Sequence, residues 1–327
     1  MFERQRKDAV MCQKETKKGA TPNKEFIFQQ LVNSVKRVRY PLYSGKRVIE
    51  LPLYFALGKT FKENYECFSS QYLKLLCDNN VDDNSIEIVK ELTNKLLCTV
   101  NEYLNGKIIS SYSLFADAIK PIKDILPVKP VTKRTFYRMR TDVGITDKTE
   151  FYHIPFSKVH LSKSERFSIE GYPCLYLGYS KRVCEIEISS GSLAKFTLKE
   201  AIPNILDLTL GQGEGRKDIP EIDLVKIFPL IASCYIVPYY STIQEKECRP
   251  EKSFFREEYI IPQLLTLYLK EEKIADGIIY YSVKDPNLDT QGTGENDLRN
   301  LVLFTDRGNQ TGEIYDNKLL DRFDITV

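Results

Sequence analysis

The sequence predicts an α+β protein, with an all-helical N-terminal domain over residues 1–130 and a mixed α/β domain over residues 131–327. In the first part, apolar residues recur every three or four positions. In the second, short β-rich runs alternate irregularly with helical patterns, which argues against a doubly wound parallel sheet. Between them, residues 120–134 (KPIKDILPVKPVTKR) contain three prolines. Because proline ends helices, we expect a linker here, with the domain boundary near residue 130.

The predicted helices carry apolar residues on one face, and the predicted strands are short and rich in β-branched and aromatic residues. Before the linker, the expected helices are Glu25–Arg39, Phe61–Leu75, Val89–Tyr103 with Ser85 as its N-cap, and Ser111–Ile119. After it, the expected helices are Lys181–Ile188, Ile222–Ile231 and Ser253–Leu269. The expected strands are Arg134–Met139, Cys174–Gly178, Ala194–Leu198, Ile205–Leu210, Gly277–Val283 and Asn300–Phe304.

The composition indicates a folded protein without a strong charge bias. Apolar residues make up 42% of the chain, which is enough for a proper core and excludes global disorder. The formal net charge is only +2, so nucleic-acid binding is not indicated. The first 47 residues hold twelve Lys or Arg against four Asp or Glu. We interpret this basic start as a solvated terminus, although it could also contact phosphate or an acidic partner.

Several common kinds of site are excluded by missing motifs. The eight cysteines include no CxxC pair, and the two histidines, His153 and His160, are not part of HExxH. We therefore expect no metal site. The lack of GxSxG argues against a serine hydrolase. Because there is no signal-peptide pattern and no apolar run long enough to cross a bilayer, we expect a cytoplasmic protein that does not enter membranes.

The most informative feature is a set of polar side chains in or beside apolar runs of the second part. Burying an Arg or a Glu is costly unless the charge is paired or put to use, so the set predicts a polar pocket for an anionic ligand. Each residue alone also has an ordinary structural explanation, such as a strand-edge cation, a surface residue or a hydroxyl bonded within a sheet. The set consists of Arg138, Arg166, Tyr176, Glu187 and Ser282.

In order and spacing, these residues resemble the RES-domain family, named for an Arg, a Glu and a Ser that meet in one cleft. The resemblance spans roughly residues 134 to 305 and is to a longer subgroup with an extra N-terminal region. Glu187 stands eleven residues past Tyr176, but the chain has SERFS where shorter relatives carry GGRWN. The matching segments are Tyr137–Arg138, Arg166–Phe167, Leu175–Gly178, Glu187, Ser282 and Asn300–Phe304.

The resemblance implies an ADP-ribosyltransferase-like fold, in which a split sheet surrounds a cleft for NAD. Planar guanidinium groups match pyrophosphate oxygens, and a flat aromatic ring can stack on nicotinamide or adenine. The side chains expected to bind NAD are Arg138, Arg166, Tyr176, Tyr137 and Asn300.

The resemblance also implies a catalytic set of Glu187, Arg138 and Ser282. Cleaving the nicotinamide–ribose bond develops oxocarbenium charge on the ribose, which a fixed carboxylate stabilises. Nicotinamide leaves as a neutral molecule, so the reaction needs neither a histidine acid nor a metal. Glu185 competes with Glu187 for the family's glutamate position, and the spacing favours Glu187.

Characterised members of the family are bacterial toxins acting on NAD, so the resemblance implies an NAD glycohydrolase or phosphorylase, the toxin of a toxin–antitoxin pair. NAD would be the substrate, and an antitoxin protein the expected partner. Two other functions stay open: a mono-ADP-ribosyltransferase that modifies a macromolecule, and a non-catalytic NAD-binding interaction protein. The role of the N-terminal region and the oligomeric state are also left open.

Overall fold

A computed structural model describes residues 51–55, 59–209, 220–238, 255–284, 294–308 and 314–327. The predicted helix Glu25–Arg39 lies outside these residues. The α-helices of the described residues are α1 (Phe61–Asp78), α2 (Asp83–Leu104), α3 (Ile108–Ile119), α4 (Lys181–Ile188), α5 (Glu221–Ser233), α6 (Ile260–Glu271) and α7 (Asn317–Leu320). The β-strands are β1 (Leu53–Phe55), β2 (Val128–Val131), β3 (Thr135–Arg140), β4 (Cys174–Gly178), β5 (Ser192–Leu198), β6 (Ile202–Asp207), β7 (Ile236–Pro238), β8 (Gly277–Tyr281), β9 (Arg299–Phe304) and β10 (Phe323–Thr326).

The central element is a mixed sheet of eight of these strands, in the order β10-β5-β3-β4-β9-β8-β6-β2. Strands β6 and β8 are parallel, and the other neighbouring pairs are antiparallel. Strands β1 and β7 form a separate parallel pair. This arrangement confirms the predicted α+β class.

The sheet opens between β3 and β4. Strand β3 pairs with β5 along its whole length, from Thr135↔Thr197 to Arg140↔Ser192. Its other edge is joined to β4 at one paired position, Tyr137↔Gly178. The remaining main-chain groups on this edge of β3 are therefore not covered by a ladder with β4.

The two faces of the sheet bury separate apolar surfaces. The cross-strand row of Leu177, Leu301 and Ile279 belongs to a core enclosed by the curled sheet itself. The neighbouring row, which includes Ile278 and Val302, faces the helices. Helices α1, α2, α3, α5 and α6 bury their apolar faces in that same core, through residues such as Tyr72, Leu96, Phe115, Phe228 and Leu265. The N-terminal helices and the sheet thus share one hydrophobic core.

The segment predicted as a linker is instead part of the fold. Lys120–Ile125 forms a 3₁₀ helix and Val128–Val131 forms edge strand β2, which pairs with β6. The prolines stand where proline is tolerated. Pro121 lies in the first turn of the 3₁₀ helix, and Pro130 lies where the register of the edge strand shifts. Proline content alone could not distinguish these positions from a linker.

The expected N-cap of α2 was also wrong. The helix begins at Asp83, and the carboxylate of Asp82 accepts a hydrogen bond of 2.9 Å from the backbone N–H of Ser85. Ser85 is the third residue of the helix, and its N–H is one of the first-turn donors that need a cap.

Of the other predicted helices and strands, Cys174–Gly178 and Lys181–Ile188 have the predicted bounds, and the rest that lie within the described residues have shifted ends. Helix α3 begins at Ile108 rather than Ser111, and the predicted helix Ser253–Leu269 begins, within the described residues, as a 3₁₀ turn at Glu257–Tyr259. No helix within the described ranges has the length and apolarity to cross a membrane.

Candidate functional site

Arg138 lies at the opening between β3 and β4. Its Nη1 donates a long hydrogen bond of 3.4 Å to the carbonyl oxygen of Tyr176, across the gap between the strands. Its guanidinium makes no salt bridge with any carboxylate of the described residues. Burial lowers the pKa of the Arg138 guanidinium, and the charge of Arg140 lowers it further. The half-buried Arg138 cation therefore has most of its N–H donors without a partner among the described residues.

Tyr176 lies next to Arg138 and points its hydroxyl into the protein. The phenol oxygen is 3.1 Å from Oγ of Ser168, and burial raises its pKa well above the usual range. The carbonyl oxygen of Ser168 accepts a hydrogen bond of 3.2 Å from the side chain of Gln263 on α6. Tyr176 thus joins the β3–β4 opening to the SERFS segment and to α6.

Arg166 is buried, as the polar set predicts, and is not an ordinary surface residue. Its Nη1 donates to the carbonyl oxygens of Cys234 (3.0 Å) and Ile236 (3.1 Å). Its guanidinium carbon lies 5.0 Å from the ring centroid of Tyr259. Nη1 of Arg166 therefore connects the SERFS segment to the start of β7, and within the described residues Nε and Nη2 have no hydrogen-bond partner.

Helix α4 brings Glu187 to the sheet. Gly178 at the end of β4 allows this close approach, because a Cβ at that position would lie 2.6 Å from Cγ1 of Val183 and 2.7 Å from Sγ of Cys184. The helix begins at Ser180, whose Oγ accepts from the N–H of Val183 at 3.1 Å. The small residue after Tyr176 and Leu177 is thus needed for packing of α4 against the sheet.

The carboxylate of Glu187 contacts side chains from two other elements. Oε1 accepts a hydrogen bond of 3.4 Å from Nδ2 of Asn300 on β9. Oε2 forms a 3.0 Å salt bridge with Nζ of Lys284, and Glu187 keeps 26% of its side chain exposed. Glu185 is exposed on the same helix. The geometry therefore brings Glu187, rather than Glu185, to the predicted ligand-binding Asn300.

Ser282 follows β8 rather than lying within it, because the strand ends at Tyr281. The residue is buried, and its Oγ accepts from the backbone N–H of Lys284 at 3.4 Å. Lys284 therefore contacts both Ser282, through its backbone N–H, and Glu187, through its ammonium group.

Tyr137 faces the same region from β3. It is the residue paired with Gly178, and the ammonium of Lys181 lies 5.9 Å from its ring centroid. Gly178 in turn pairs with Asn300. Tyr137, Gly178 and Asn300 thus form one cross-strand row under the helix that carries Glu187.

Glu187 and Arg166 both interact electrostatically with Tyr280. Burial raises the pKa of the Tyr280 phenol, the charge of Glu187 raises it further, and the charge of Arg166 lowers it. The rings of Tyr280 and Phe167 lie 4.7 Å apart. Glu187 and Arg166 therefore lie close enough to Tyr280 to interact with it electrostatically.

Sequence reasoning missed several residues of this region. Lys284 follows a strand and was not distinguishable from a solvated surface lysine. Tyr280 and Gln263 occur in apolar runs that predict core. Glu165 stands in SERFS where the family that the sequence resembles carries a glycine of GGRWN, and this difference was the signal that could have identified it. Desolvation raises the pKa of Glu165, while the charge of Lys284 lowers it.

His153 has a structural role. Its Nδ1 lies 2.8 Å from the carbonyl oxygen of Ile154, and its Nε2 accepts from the N–H of Asp316 at 2.8 Å. Both ring nitrogens of the neutral imidazole are therefore used. Within the ranges that the structure describes, no group of three or more His, Cys, Asp or Glu is arranged to hold a metal ion.

Comparison with known proteins gives one curated relative. A protein of Bacillus subtilis (strain 168), described as "Putative toxin YopC", is 27% identical over 255 residues, which cover 68% of this chain and 55% of that protein. The chain thus spans about half the length of this relative. No family model matches the chain. No solved structure matches it.

Proposed function

We propose that this protein is a toxin that consumes NAD, with an ADP-ribosyltransferase-like arrangement around the β3–β4 opening. It cleaves the bond between nicotinamide and ribose by hydrolysis or phosphorolysis. The observation that carries the proposal is the half-buried Arg138 guanidinium at the β3–β4 opening, for which the described residues provide one long hydrogen bond and no salt bridge.

A dinucleotide pyrophosphate is the ligand that suits this guanidinium. A buried cation without a counter-ion is unfavourable, and a phosphate oxygen removes that cost with charge-assisted hydrogen bonds. The exposed guanidinium of Arg256 and the buried one of Arg166 both lie near the Tyr259 ring, at 5.3 and 5.0 Å from its centroid. Arg256 also lies 3.8 Å from a carboxylate oxygen of Glu258, so Arg166 is the better candidate for a second phosphate contact.

Glu187 is the group proposed to act on the ribose. In the reaction, the bond from C1′ of the ribose to the nicotinamide nitrogen breaks, and its electron pair neutralises the pyridinium. A water or phosphate oxygen then bonds to C1′, and a water that attacks releases a proton to solvent. The carboxylate stabilises the positive charge on the ribose before that attack. Asn300 holds one of its oxygens, which supports a fixed orientation.

The Bacillus subtilis relative supports the toxin part of the proposal, since it is described as a toxin and shares 27% identity with this chain. A toxin that depletes NAD must be restrained in the cell that makes it. We therefore propose that an antitoxin protein binds this chain.

The experiment is to follow NAD and its products over time with purified protein. Wild type should release nicotinamide, and Glu187→Gln should lower the rate by about 10²-fold or more, the typical effect of losing a transition-state charge contact. Glu185→Gln is the matched control, because it makes the same change two residues away on the exposed side of α4.

Products decide between the alternatives. Free ADP-ribose indicates hydrolysis, and ADP-ribose 1″-phosphate that appears only with phosphate indicates phosphorolysis. Label retained on a macromolecule indicates transfer instead. NAD that is bound but not consumed by wild type would contradict the proposal.

A further inference from the structure

We infer that Lys284 is a positioning residue, which clamps Glu187 at the end of α4 so that its carboxylate points into the site. The catalytic meaning of this clamp rests on the proposed function, since Glu187 is the carboxylate proposed to act on the ribose. The clamp itself is a property of the structure and can be measured without any substrate.

One ammonium group contacts Glu187 twice. Nζ of Lys284 lies 2.7 Å from the main-chain oxygen of Glu187 and 3.0 Å from its Oε2. The other carboxylate oxygen, Oε1, accepts from Asn300. The main-chain oxygen and both side-chain oxygens of Glu187 are thus held by Asn300 of strand β9 and by Lys284 of the segment that follows β8.

The hydrogen bond from Lys284 to the main-chain oxygen of Glu187 caps the C-terminal end of helix α4. Helix α4 ends at Ile188, and Ser189 has a positive φ of 69°, so the chain leaves the helical path there. The carbonyl oxygens of a last helical turn have no intrahelical donor. A lysine ammonium satisfies such an oxygen and also interacts favourably with the negative end of the helix dipole.

Lys284 is itself tied to the site and to a second carboxylate. Its N–H donates to Oγ of Ser282, directly after β8. Desolvation raises the pKa of Glu165, the charges of Lys284 and Arg256 lower it, and the charge of Glu187 raises it. Lys284 therefore acts as a counter-ion for both carboxylates and reduces the repulsion between them.

This lysine contributes little to folding stability. Its side chain is 57% exposed, and ion pairs at such positions are strongly screened by water. Substituting it should leave the protein folded, so a change in rate reports on the orientation of Glu187. A second lysine of comparable exposure, Lys199 directly after β5, forms a 3.3 Å ion pair with the exposed Asp324 of β10 and provides the control.

The test compares Lys284→Met, Lys284→Arg and the control Lys199→Met with wild type in steady-state NAD turnover. We expect Lys284→Met to lower kcat by about tenfold or more with KM within about twofold, because a misplaced carboxylate loses transition-state contact rather than substrate binding. Lys284→Arg keeps the charge and the donors and should restore most of the rate. Lys199→Met should match wild type. An unchanged or raised kcat, or a raised KM alone, would overturn the inference.

Amide hydrogen exchange of residues 186–190 gives the second readout. Exchange should be faster in Lys284→Met than in wild type or Lys199→Met, since the end of α4 loses its side-chain cap. Equal exchange in all three proteins would overturn the clamp. If wild type leaves NAD intact, the proposed function fails, and the exchange result still decides whether Lys284 holds Glu187.

Discussion

The side-chain amide of Asn300 lies 3.4 Å from Oε1 of Glu187, although 113 residues separate them in the chain. Strand β9 and helix α4 are therefore in contact through the carboxylate of Glu187. Because Nδ2 of Asn300 contacts the carboxylate directly, this contact is the most direct point at which to change the surroundings of Glu187.

Asn300→Asp should lower kcat/KM for NAD by about tenfold or more. The substitution replaces a hydrogen-bond donor to Glu187 by a second carboxylate, and the repulsion between two like charges should displace Glu187 from its position. The measurement is steady-state NAD turnover.

Asn300→Ser retains a hydroxyl donor without adding charge and is the control. Its kcat/KM should stay closer to that of wild type. An equal kcat/KM for Asn300→Asp and wild type would contradict a role for the contact between Asn300 and Glu187.

Arg138→Gln should weaken NAD binding. A hydrogen bond to a charged group contributes about 1.5–3 kcal/mol, so KM for NAD should rise by about tenfold or more. Arg140→Gln is the control on the same strand, because Arg140 already donates to the carbonyl oxygens of Glu150 (2.9 Å) and Tyr152 (2.7 Å). Thermal melting of both variants separates loss of binding from loss of folding. An equal KM for Arg138→Gln and wild type would contradict the proposed function, which depends on the contact of Arg138 with NAD.

Stability should fall as the pH drops below about 6.5, the usual pKa of histidine. Burial lowers the pKa of His153 in the folded protein, so the unfolded chain binds the proton first. The contribution of neutral His153 is therefore fully present above the unfolded pKa and is lost as the pH falls. Urea denaturation at pH 7.5 and pH 5.5 measures the difference in the free energy of unfolding.

In His153→Gln, the free energy of unfolding should change less between pH 7.5 and pH 5.5 than in wild type. In His160→Gln, it should change as in wild type. His160 is exposed, and it is the other histidine of the chain. A pH dependence that persists in His153→Gln would show that other groups cause it.

The strands and helices with strong periodicity could be predicted from the sequence. Cys174–Gly178 and Lys181–Ile188 have the predicted bounds, because an apolar strand and a capped helix follow each other with a clear change of period. The short strands β1, β7 and β10 were missed, since runs of three or four residues carry too little pattern. Their existence depends on partners distant in the chain.

The candidate site was predictable only as far as its residue types. Spacing favoured Glu187, and the structure places it beside Asn300. The hydrogen bonds from Arg166 to the carbonyl oxygens of Cys234 and Ile236 could not be anticipated, because they depend on the position of β7 in the folded protein. Lys284 was missed for the same reason.

The core shared by the helices and the sheet has a practical consequence for the choice of truncated fragments. A fragment beginning at residue 131 would retain Arg138, Glu187 and Ser282 but lose most of edge strand β2 and every helix before it. The apolar face around Ile278 and Val302 would then meet water, and such surfaces promote aggregation. Recombinant work on the proposed chemistry should therefore keep the N-terminal helices, which supply part of the hydrophobic core that covers the sheet.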